Sequence, residues 1–375
     1  MTVLRVNTLS GIGTGGPVFD GELEFNSQNY VILPKGTTSD RVGVGSTPGA
    51  LRYNTDSNKV ELYDGSQWTE VQASRPDLNG GARGLFGIGY LAPSNRNVID
   101  YITISSTGNS QDFGDLLTLT RQRCGCSSST RGLIAGGYTG PGYINTIEYV
   151  TISSTGNSIS FGSLSTSSRG SAAGSCANAT RGIFAGGYSF PSFTNVIDYV
   201  TISSTGNAQD FGDLSSSAGR EIIGGLSSST RGVFGGGRVP GALVNIIEFI
   251  TISTIGNSTD FGDLTVARTS KGCSNATRGL FGGGYSPSLS NVIDYITIAS
   301  LGNATDFGDM LTAADNTGSC ASSTRGVWAG GDTTPGVINV IQYVSIATQG
   351  NAIDFGDLSQ NGAQVVGLSN AHGGL

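Results

Sequence analysis

Residues 181–214 read RGIFAGGYSFPSFTNVIDYVTISSTGNAQDFGDL, and this stretch decides the fold because versions of it recur along most of the chain. Each copy opens on an Arg-Gly pair, followed by an apolar run and a glycine cluster. The arginines that open the copies lie 47 to 50 residues apart and are Arg83, Arg131, Arg181, Arg231, Arg278 and Arg325. The chain therefore contains six copies of one supersecondary unit, and neighbouring copies must stack to bury their apolar faces.

Each copy divides into four short strands. In the quoted copy, GIFAGG is typical of an apolar strand ended by two glycines, and NVIDYVTI is a run of β-branched and aromatic residues. A Gly-Asn pair, which is a hairpin signal, leads into a strand around AQDFGDL, and a further strand precedes each Arg-Gly pair. Four strands per ~48 residues without a helical window is the pattern of a propeller blade. We predict an all-β fold in which residues 75–375 form a six-bladed β-propeller.

The composition agrees with this fold and argues against several functions. Glycine makes up 60 of the 375 residues, more than twice the usual ~7%. Glycine disfavours long helices, and here it does not recur every third residue as in collagen. The net charge of −7 without a basic stripe argues against nucleic acid as a partner. The sequence contains no run of 18 apolar residues, which would indicate membrane insertion. The start MTVLRVNTLSG lacks the pattern of a secretory signal.

The two ends of the repeat array complement each other. The first copy lacks room for the strand that precedes the Arg-Gly pair in later copies. After the last DFGDL, at residues 354–358, the chain continues as SQNGAQVVGLSNAHGGL. We predict that residues 359–371 supply the missing strand of the first blade, which removes an exposed sheet edge.

Acidic residues recur in the middle of the third strand. They are Asp100, Glu148, Asp198, Glu248 and Asp294, and Gln342 takes this place in the last copy. We predict a ladder of buried or half-buried ion pairs between these acids and the arginines that open the copies. The Asp-Phe-Gly phrases contain Asp-x-x-Asp pairs, which we interpret as turn caps. A cation site is the alternative, but a Ca²⁺ site needs six or more converging oxygens.

The sequence offers little for catalysis. His372 is the only histidine, which argues against histidine-dependent nucleophilic catalysis and against a His-ligated metal. The five cysteines are spread over separate copies and are predicted to pack rather than to form disulfides. GIGTGG at residues 11–16 precedes an apparent strand, not the helix of a dinucleotide site. We predict no enzyme, no cofactor and no metal, with a carbohydrate-active propeller enzyme as the alternative.

Recognition is predicted in the loops between the second and third strands. These loops vary among the copies, from YLAPSNR to RVPGALV, whereas the Gly-Asn hairpins at the opposite end are nearly uniform. Variation on a fixed scaffold is typical of a binding face, although loops also drift where nothing constrains them. The candidate receptor-contact residues are Arg96, Tyr143, Phe190, Phe193 and Arg238.

The repeats resemble a known family. An arginine precedes the first strand in three copies (Arg169, Arg220 and Arg268), two glycines end the second strand, and an aromatic residue lies in the third. In these features and in its period, the region at roughly 75–375 resembles kelch repeats, whose fold is a β-propeller. The usual kelch tryptophan is missing, since Trp328 lies elsewhere in the pattern. The repeats are therefore kelch-like.

The N-terminal part does not share the repeat. Residues 49–71, GALRYNTDSNKVELYDGSQWTEV, are predicted to form a small β-hairpin unit with turns at Asp56-Ser57 and Asp64-Gly65. This segment resembles a short module of tailed-bacteriophage tail fibres, and the opening MTVLRVNTLSGIGTGG is similar to the starts of cyanophage structural proteins. We divide the chain into a β-rich virion-attachment or oligomerisation segment at 1–44, a hairpin module of phage-fibre type at 45–74, and the propeller at 75–375.

The phage resemblance implies a non-enzymatic virion structural protein. The expected role is a tail fibre or tail-associated adhesin, assembled in the host cytoplasm and located on the tail or capsid surface of the virion. Its N-terminal segment would bind other virion proteins, and its propeller would meet a glycan or protein of the host surface. Phage fibres also suggest a homo-oligomer, specifically a trimer. The alternative is a capsid or tail decoration protein that stabilises the particle.

Overall fold

The structure, a computed structural model, describes residues 33–41, 48–71, 82–166, 169–170, 174–189, 191–215, 217 and 219–375. The chain divides into two compact units, Met1–Arg75 and Pro76–Leu375. In the described parts of both units the regular structure is β-strand, apart from one 3-10 helix at Thr38–Arg41. The fold class is therefore all-β, as predicted. The GIGTGG stretch and most of the segment 1–44 lie outside the described residues.

The described part of the first unit is a four-stranded sheet with the strand order Lys35–Gly36, Leu51–Asn54, Lys59–Tyr63 and Trp68–Glu70. The first two strands are parallel and the remaining pairs are antiparallel. Turns at 55–58 and 65–67 connect the antiparallel strands. Asp64 caps the second turn, because its Oδ1 accepts hydrogen bonds from the backbone N–H groups of Ser66 and Gln67.

The described part of the second unit contains six four-stranded antiparallel sheets, numbered 1 to 6 by the copy that supplies their second strand. From first to fourth strand, sheet 1 is Val366–Ser369, Arg83–Gly87, Val98–Thr103 and Gln111–Asp115; sheet 2 is Cys124–Ser127, Arg131–Ala135, Thr146–Thr151 and Ile159–Ser163; sheet 3 is Gly174–Ala177, Arg181–Ala185, Val196–Thr201 and Gln209–Asp213; sheet 4 is Gly224–Ser227, Arg231–Gly235, Ile246–Thr251 and Thr259–Asp263; sheet 5 is Lys271–Ser274, Arg278–Gly282, Val292–Thr297 and Thr305–Asp309; sheet 6 is Gly318–Ala321, Arg325–Ala329, Val340–Ser345 and Ile353–Asp357. Short strands also pair within the loops: Tyr90–Leu91 with Ser94–Asn95, Arg169–Gly170 with Tyr188–Ser189, Tyr188–Ser189 with Ser192–Phe193, Arg238–Val239 with Ala242–Leu243, and Tyr285–Ser286 with Ser288–Leu289.

The second strands are buried on both faces, which is why they read as apolar runs rather than as alternating patterns. Leu280 and Phe281 are adjacent on the second strand of sheet 5 and point to opposite faces, yet both are 0% exposed. The third strand adds a tyrosine or phenylalanine that packs edge-on against the Asp-Phe-Gly phenylalanine, as Tyr199 does on Phe211 at 6.0 Å between ring centroids. The apolar core therefore lies between neighbouring sheets.

Sheet 1 takes its first strand from the far end of the chain. Val366–Ser369 pairs antiparallel with Arg83–Gly87, and Leu368 lies opposite Leu85. Just after this strand, Asn370 Oδ1 accepts a hydrogen bond from the backbone N–H of Arg83 at 2.8 Å. The pairing strand lies within the span 359–371 that the sequence analysis assigned to this position.

The six sheets follow one another in a closed order. The first strand of each of sheets 2 to 5 contacts the first strand of the next sheet. The first strand of sheet 6 contacts Val366–Ser369 in sheet 1, and that strand contacts Cys124–Ser127 in sheet 2. The first strands therefore form a cycle, and the fourth strand is the opposite edge of each sheet.

The arginines that open the copies bind the next sheet. Arg181 in sheet 3 packs over the ring of Tyr199, 4.8 Å from its centroid, and its Nη1 donates to the carbonyl of Ile252 in sheet 4 at 2.9 Å. The equivalent bonds of the six described sheets measure 2.8–3.1 Å. In sheet 6, Arg325 donates to the carbonyl of Ile104 in sheet 1 at 2.8 Å. Each sheet is thus linked to its successor, and the last sheet is linked to the first.

The predicted ladder of ion pairs is wrong. The arginines that open the copies form no salt bridges, among the described residues, with the acids Asp100, Glu148, Asp198, Glu248 and Asp294. The register explains why: Arg181 lies opposite Thr201, whereas Asp198 lies opposite Phe184. Phe184 is three residues from Arg181 along one strand, and an odd separation puts side chains on opposite faces of a sheet. The arginine and the acid therefore face different neighbours.

Each mid-strand acid instead accepts a backbone N–H group from the preceding sheet. The donor is the second residue after the fourth strand of that sheet, and the described bonds measure 2.6–3.2 Å. The pairs are Leu117 with Glu148, Ser165 with Asp198, Ser215 with Glu248, Thr265 with Asp294, Leu311 with Gln342, and Ser359 with Asp100. This contact explains Gln342, because an amide oxygen accepts the same N–H without a negative charge. We call this recurrent bond the acid clamp.

Among the described side chains, a different arginine supplies the positive charge beside the clamp in three sheets. Arg268 Nη1 lies 2.8 Å from Asp294 Oδ2, and both side chains are 0% exposed. The corresponding distances are 3.4 Å from Arg123 to Glu148 and 3.6 Å from Arg220 to Glu248. These arginines precede the first strand of their sheets, so they belong to the connections between sheets rather than to the Arg-Gly pairs.

The Gly-Asn hairpins and the Asp-Phe-Gly phrases are two halves of another contact between sheets. The N–H of Gly256 in sheet 4 donates to the carbonyl of Phe211 in sheet 3 at 2.8 Å, and Asn257 Oδ1 accepts the N–H of Asp213 at 3.0 Å. Gly212 has φ of +145°, and a Cβ there would lie 2.5 Å from the oxygen of Gly256. Close approach between the sheets thus requires a glycine in this phrase, which accounts for the recurrence of that glycine.

Candidate recognition face

Antiparallel order brings two kinds of connection to the same end of every sheet. These are the loop between the second and third strands and the segment that leads from the fourth strand to the next sheet. We call this end of the second unit the variable-loop face. Isolated β-bridges connect the two segments. In sheet 2, Arg121, which precedes the first strand, pairs with Tyr138, which follows the second strand; in sheet 4, Glu221 pairs with Arg238 in the same way. The loops are therefore held by the sheets beneath them despite their varied sequences.

Aromatic rings from neighbouring loops contact one another on this face. Tyr143 lies 4.9 Å from Tyr138 in its own loop and 5.3 Å from Tyr188 in the next loop, measured between ring centroids. Tyr188 in turn lies 5.5 Å from Phe193. The rings are tilted or edge-on, which is the favourable geometry for aromatic pairs. A continuous row of rings thus crosses from sheet 2 to sheet 3.

Two arginines extend this row at both ends. Arg121 lies between two rings, 4.9 Å from the centroid of Tyr90 in sheet 1 and 5.0 Å from that of Tyr138. Arg238 in sheet 4 lies 5.9 Å from the centroid of Phe193. Both are cation–π contacts. We define the aromatic belt as the seven residues Tyr90, Arg121, Tyr138, Tyr143, Tyr188, Phe193 and Arg238.

The belt combines apolar rings, phenol hydroxyls and positive charge at a partly accessible surface. Its rings are half-buried, and the Arg238 side chain is 52% exposed. Arg238 also donates from Nε to Glu221 Oε1 at 3.0 Å, which fixes the guanidinium beside the last ring. Burial, and then the neighbouring Tyr188, raises the pKa of Tyr143 above its usual value, so its hydroxyl stays protonated and able to donate. Such a surface can stack on an apolar or ring-shaped ligand while bonding to its polar groups.

Sheets 5 and 6 present a different chemistry on the same face. Asp315 Oδ1 accepts a hydrogen bond from Thr269 Oγ1 at 3.0 Å, and Asp332 Oδ2 accepts one from Asn316 Nδ2 at 3.0 Å. Burial is the main cause that raises the pKa of Asp332 above its usual value. Tyr285 on this side is 43% exposed. The variable-loop face is therefore aromatic and cationic over sheets 1 to 4 and acidic over sheets 5 and 6.

The structure brings together three of the five residues proposed for receptor contact, because Tyr143, Phe193 and Arg238 belong to the belt. Arg96 lies in the loop of sheet 1, where its N–H donates to the Gly89 carbonyl at 2.9 Å, and it has no described ring contact. Phe190 lies outside the described residues.

Sequence reasoning missed four belt residues: Tyr90, Arg121, Tyr138 and Tyr188. Three of them share a signal that the sequence does carry. The position directly after the glycine cluster holds, in copy order, Tyr90, Tyr138, Tyr188, Arg238, Tyr285 and Asp332. The residue at this position varies in charge and size, as the loop interiors do. Comparing it among the copies would have predicted both the row of rings and the acidic side of the face.

Nucleophilic and metal-binding side chains lie outside the belt. The five cysteines are buried and form no disulfide, and burial raises the pKa of the Cys273 thiol to about 12. His372 Nε2 donates to the carbonyl of Ser127 at 2.7 Å, and burial lowers the pKa of the imidazole. In the part of the chain that the structure describes, no group of three or more His, Cys, Asp or Glu residues could hold a metal ion.

Comparison with known proteins adds no family. No family model matches the sequence, and no curated protein matches it at a significant level. Across the described residues, none of the helices has the length and apolar character needed to span a bilayer. The chain's own motifs and the geometry of the variable-loop face are therefore the basis for the function proposed below.

Proposed function

We propose that residues 75–375 form a six-bladed β-propeller in which sheets 1 to 6 are the blades. The cyclic contacts of the first strands support this architecture, since the inner strands of propeller blades surround a central channel. The Arg325 bond to Ile104 and the pairing of Val366–Ser369 with Arg83–Gly87 support ring closure between the last and first blades.

We further propose that the protein is a non-enzymatic structural protein of a phage virion. The resemblance of residues 49–71 to tail-fibre modules supports attachment through the N-terminal part, with the propeller presented outward. In this arrangement the protein is a tail fibre or tail-associated adhesin. It binds other virion proteins at one end and a glycan or protein of the host surface at the other, as a homo-oligomer.

The aromatic belt is the observation that carries this function. Tyrosine, tryptophan and arginine dominate the energetics of protein recognition surfaces because they bury a large area and also bond to polar groups. Here five aromatic residues and two arginines are gathered on loops that a repeated scaffold positions. The opposite end of the same sheets carries the nearly uniform Gly-Asn hairpins, which are used for contacts between sheets. The variable-loop face is therefore the binding surface in this proposal.

Competition for phage adsorption tests the proposal. The purified full-length protein should block adsorption of the phage that encodes it, and Tyr188→Ala should weaken the block at least about tenfold, because loss of a central aromatic contact costs more than ~1.4 kcal/mol. Leu301→Ala is the matched control, since Leu301 is 58% exposed in a hairpin at the opposite end. Equal potency of Tyr188→Ala and wild type would exclude the belt as the receptor surface.

Two other measurements separate the remaining roles. Imaging the labelled protein on the virion should place it at the tail; a position over the capsid, combined with no block of adsorption, would identify a decoration protein. Release of reducing sugar from host surface glycan would identify a carbohydrate-active enzyme instead. Light scattering of the purified protein would show whether it is a trimer.

A further inference from the structure

Lys271 is the only lysine after residue 75, and it stands at the centre of the cycle of sheets. It begins the first strand of sheet 5 and lies opposite Gly282. The equivalent position is small or apolar in the other sheets, where it is occupied by Cys124, Gly174, Gly224, Gly318 and Val366. A long cationic side chain has thus replaced a small residue at one of six equivalent inner positions.

The Lys271 side chain lines a central cavity of about 50 Å³ at the variable-loop end of the first strands. Residues from all six first strands or the segments just before them line this cavity, among them Arg123 and Thr317. Below it lies a ring of small residues shared with a second central cavity: Gly125, Ser175, Gly225, Gly272, Ser319 and Gly367. This ring is tight, because a Cβ on Gly225 would lie 2.2 Å from the oxygen of Ser175.

The ammonium group of Lys271 has no counterion among the described residues. It makes neither a hydrogen bond nor a salt bridge with any described residue. The carboxylate of Asp315 attracts it without forming a salt bridge, and Asp315 Oδ1 accepts a hydrogen bond from Thr269 Oγ1 at 3.0 Å. Burial lowers the pKa of Lys271, and the attraction of Asp315 only partly opposes this effect. A half-buried, unpaired ammonium that lines a narrow cavity is electrostatically unfavourable, so a partner from outside the chain is favoured.

The second cation of the cavity is already balanced. Arg123 Nη1 lies 3.4 Å from Glu148 Oε2, and Nη2 donates to the carbonyl of Thr118 at 2.5 Å. The Arg123–Glu148 pair therefore contributes little net charge. The excess positive charge of the cavity comes from Lys271, although the whole chain carries −7.

We propose that this cavity binds one small anion against Lys271, either a free oxyanion or the carboxylate of a larger ligand. A water molecule needs roughly 10–15 Å³ of such space, so the cavity accommodates a group the size of a carboxylate or a small oxyanion. The ammonium donates to the anion oxygens in a charge-assisted bond. This site goes beyond the recognition role proposed above and does not depend on it.

Thermal unfolding and calorimetric titration with inorganic phosphate test the site on the full-length protein at constant, low ionic strength. Phosphate should raise the melting temperature of the wild type in a saturable way and bind with a stoichiometry of one per chain. Lys271→Met should reduce phosphate affinity at least about tenfold, because a charge-assisted bond is lost. Without phosphate, Lys271→Met should melt at a higher temperature than the wild type, since the unpaired charge is gone.

Lys59→Met is the matched control, because Lys59 lies in the first unit, is 54% exposed and pairs with Glu70 at 3.6 Å. This variant should keep the phosphate response of the wild type. An equal phosphate response in Lys271→Met and the wild type would overturn the proposal, as would a lower melting temperature of Lys271→Met without phosphate. Glucuronate and glucose then identify the source of the anion. Stabilisation by glucuronate but not by glucose places a saccharide carboxylate in the cavity, and stabilisation by phosphate alone restricts the site to a free oxyanion.

Discussion

Asp294 and Asp100 make the same acid clamp in two different sheets, but of the two only Asp294 has a buried arginine beside it among the residues that the structure describes. Asp294 Oδ2 accepts from Arg268 Nη1 at 2.8 Å and from the N–H of Thr265 at 3.1 Å. Arg268 is fully buried, and its Nε and Nη2 bond to backbone carbonyls at 3.1 and 3.0 Å. Asp294→Asn keeps the shape and an acceptor oxygen but removes the charge. It should cost about 3–5 kcal/mol, because the guanidinium is left buried and uncompensated.

Asp100→Asn is the internal comparison. Its carboxylate accepts from the N–H and Oγ of Ser359 at 2.7 and 2.8 Å and from Ser110 Oγ at 2.7 Å. An amide oxygen can keep the N–H bond, and the serine hydroxyls can rotate to accept from the amide nitrogen. We expect a loss of about 1 kcal/mol. Gln342, which already makes the clamp with a neutral side chain at 2.6 Å, supports this smaller value.

Urea unfolding at pH 7, followed by far-UV circular dichroism, measures both variants. The difference between them should be at least about 2 kcal/mol, with Asp294→Asn the less stable. Equal losses would refute the reasoning, because they would mean that the clamp to the preceding sheet, and not the buried arginine, sets the cost. A loss confined to Asp100→Asn would refute it as well.

Three further outcomes follow from other contacts. Leu368→Ala in the closing strand should lower the free energy of unfolding in urea by about 2–5 kcal/mol, because Leu368 is only 5% exposed. Leu301→Ala, at an exposed position, should change it by less than ~0.5 kcal/mol. Equal values for the two variants would contradict closure by this strand. Gly212→Ala should cost about 1–3 kcal/mol because of its φ of +145° and its approach to Gly256, while Gly206→Ala, whose Cβ would meet nothing within 4 Å, should be nearly neutral. In the folded first unit the hydrogen bond from Arg41 lowers the pKa of Glu61 from its usual value of 4.5. The ionised Glu61 carboxylate therefore contributes fully to stability above about pH 4.5, and this contribution is lost as the pH falls through the folded-state pKa. Acid titration of Trp68 fluorescence in a Trp328→Phe background should show this loss, and Glu61→Gln should abolish its pH dependence.

The fold class and the repeated unit could be predicted from the sequence because their signals are local. Double glycines, β-branched runs and Gly-Asn pairs recur at a constant interval, and each marks a turn or a strand by its own chemistry. The partners of the charged residues could not be predicted in the same way. Arg181 and Asp198 are close in sequence, but the strand register places them on opposite faces, and their partners belong to the following and preceding sheets.

The candidate face was predictable only in part for a related reason. Tyr143 and Phe193 lie in loop interiors, where variation among copies is obvious. Tyr138 and Tyr188 begin the same variable loops, but only the tertiary structure shows that their rings meet those of neighbouring residues and loops. Arg121 comes from the segment after a fourth strand, and only the tertiary structure places it between two rings.

The closed cycle of contacts also constrains how this gene can change. An open tandem array gains or loses units at its ends by unequal recombination, since each unit needs only one neighbour. Here Arg325 of the last sheet binds Ile104 of the first, and Val366–Ser369 completes that first sheet. Removal or duplication of one internal copy would keep the partners of both contacts but would change the number of sheets that share the closed cycle. Copy number is thereby constrained, and new surface chemistry arises more easily through substitutions and small length changes in the loops, where the copies do differ.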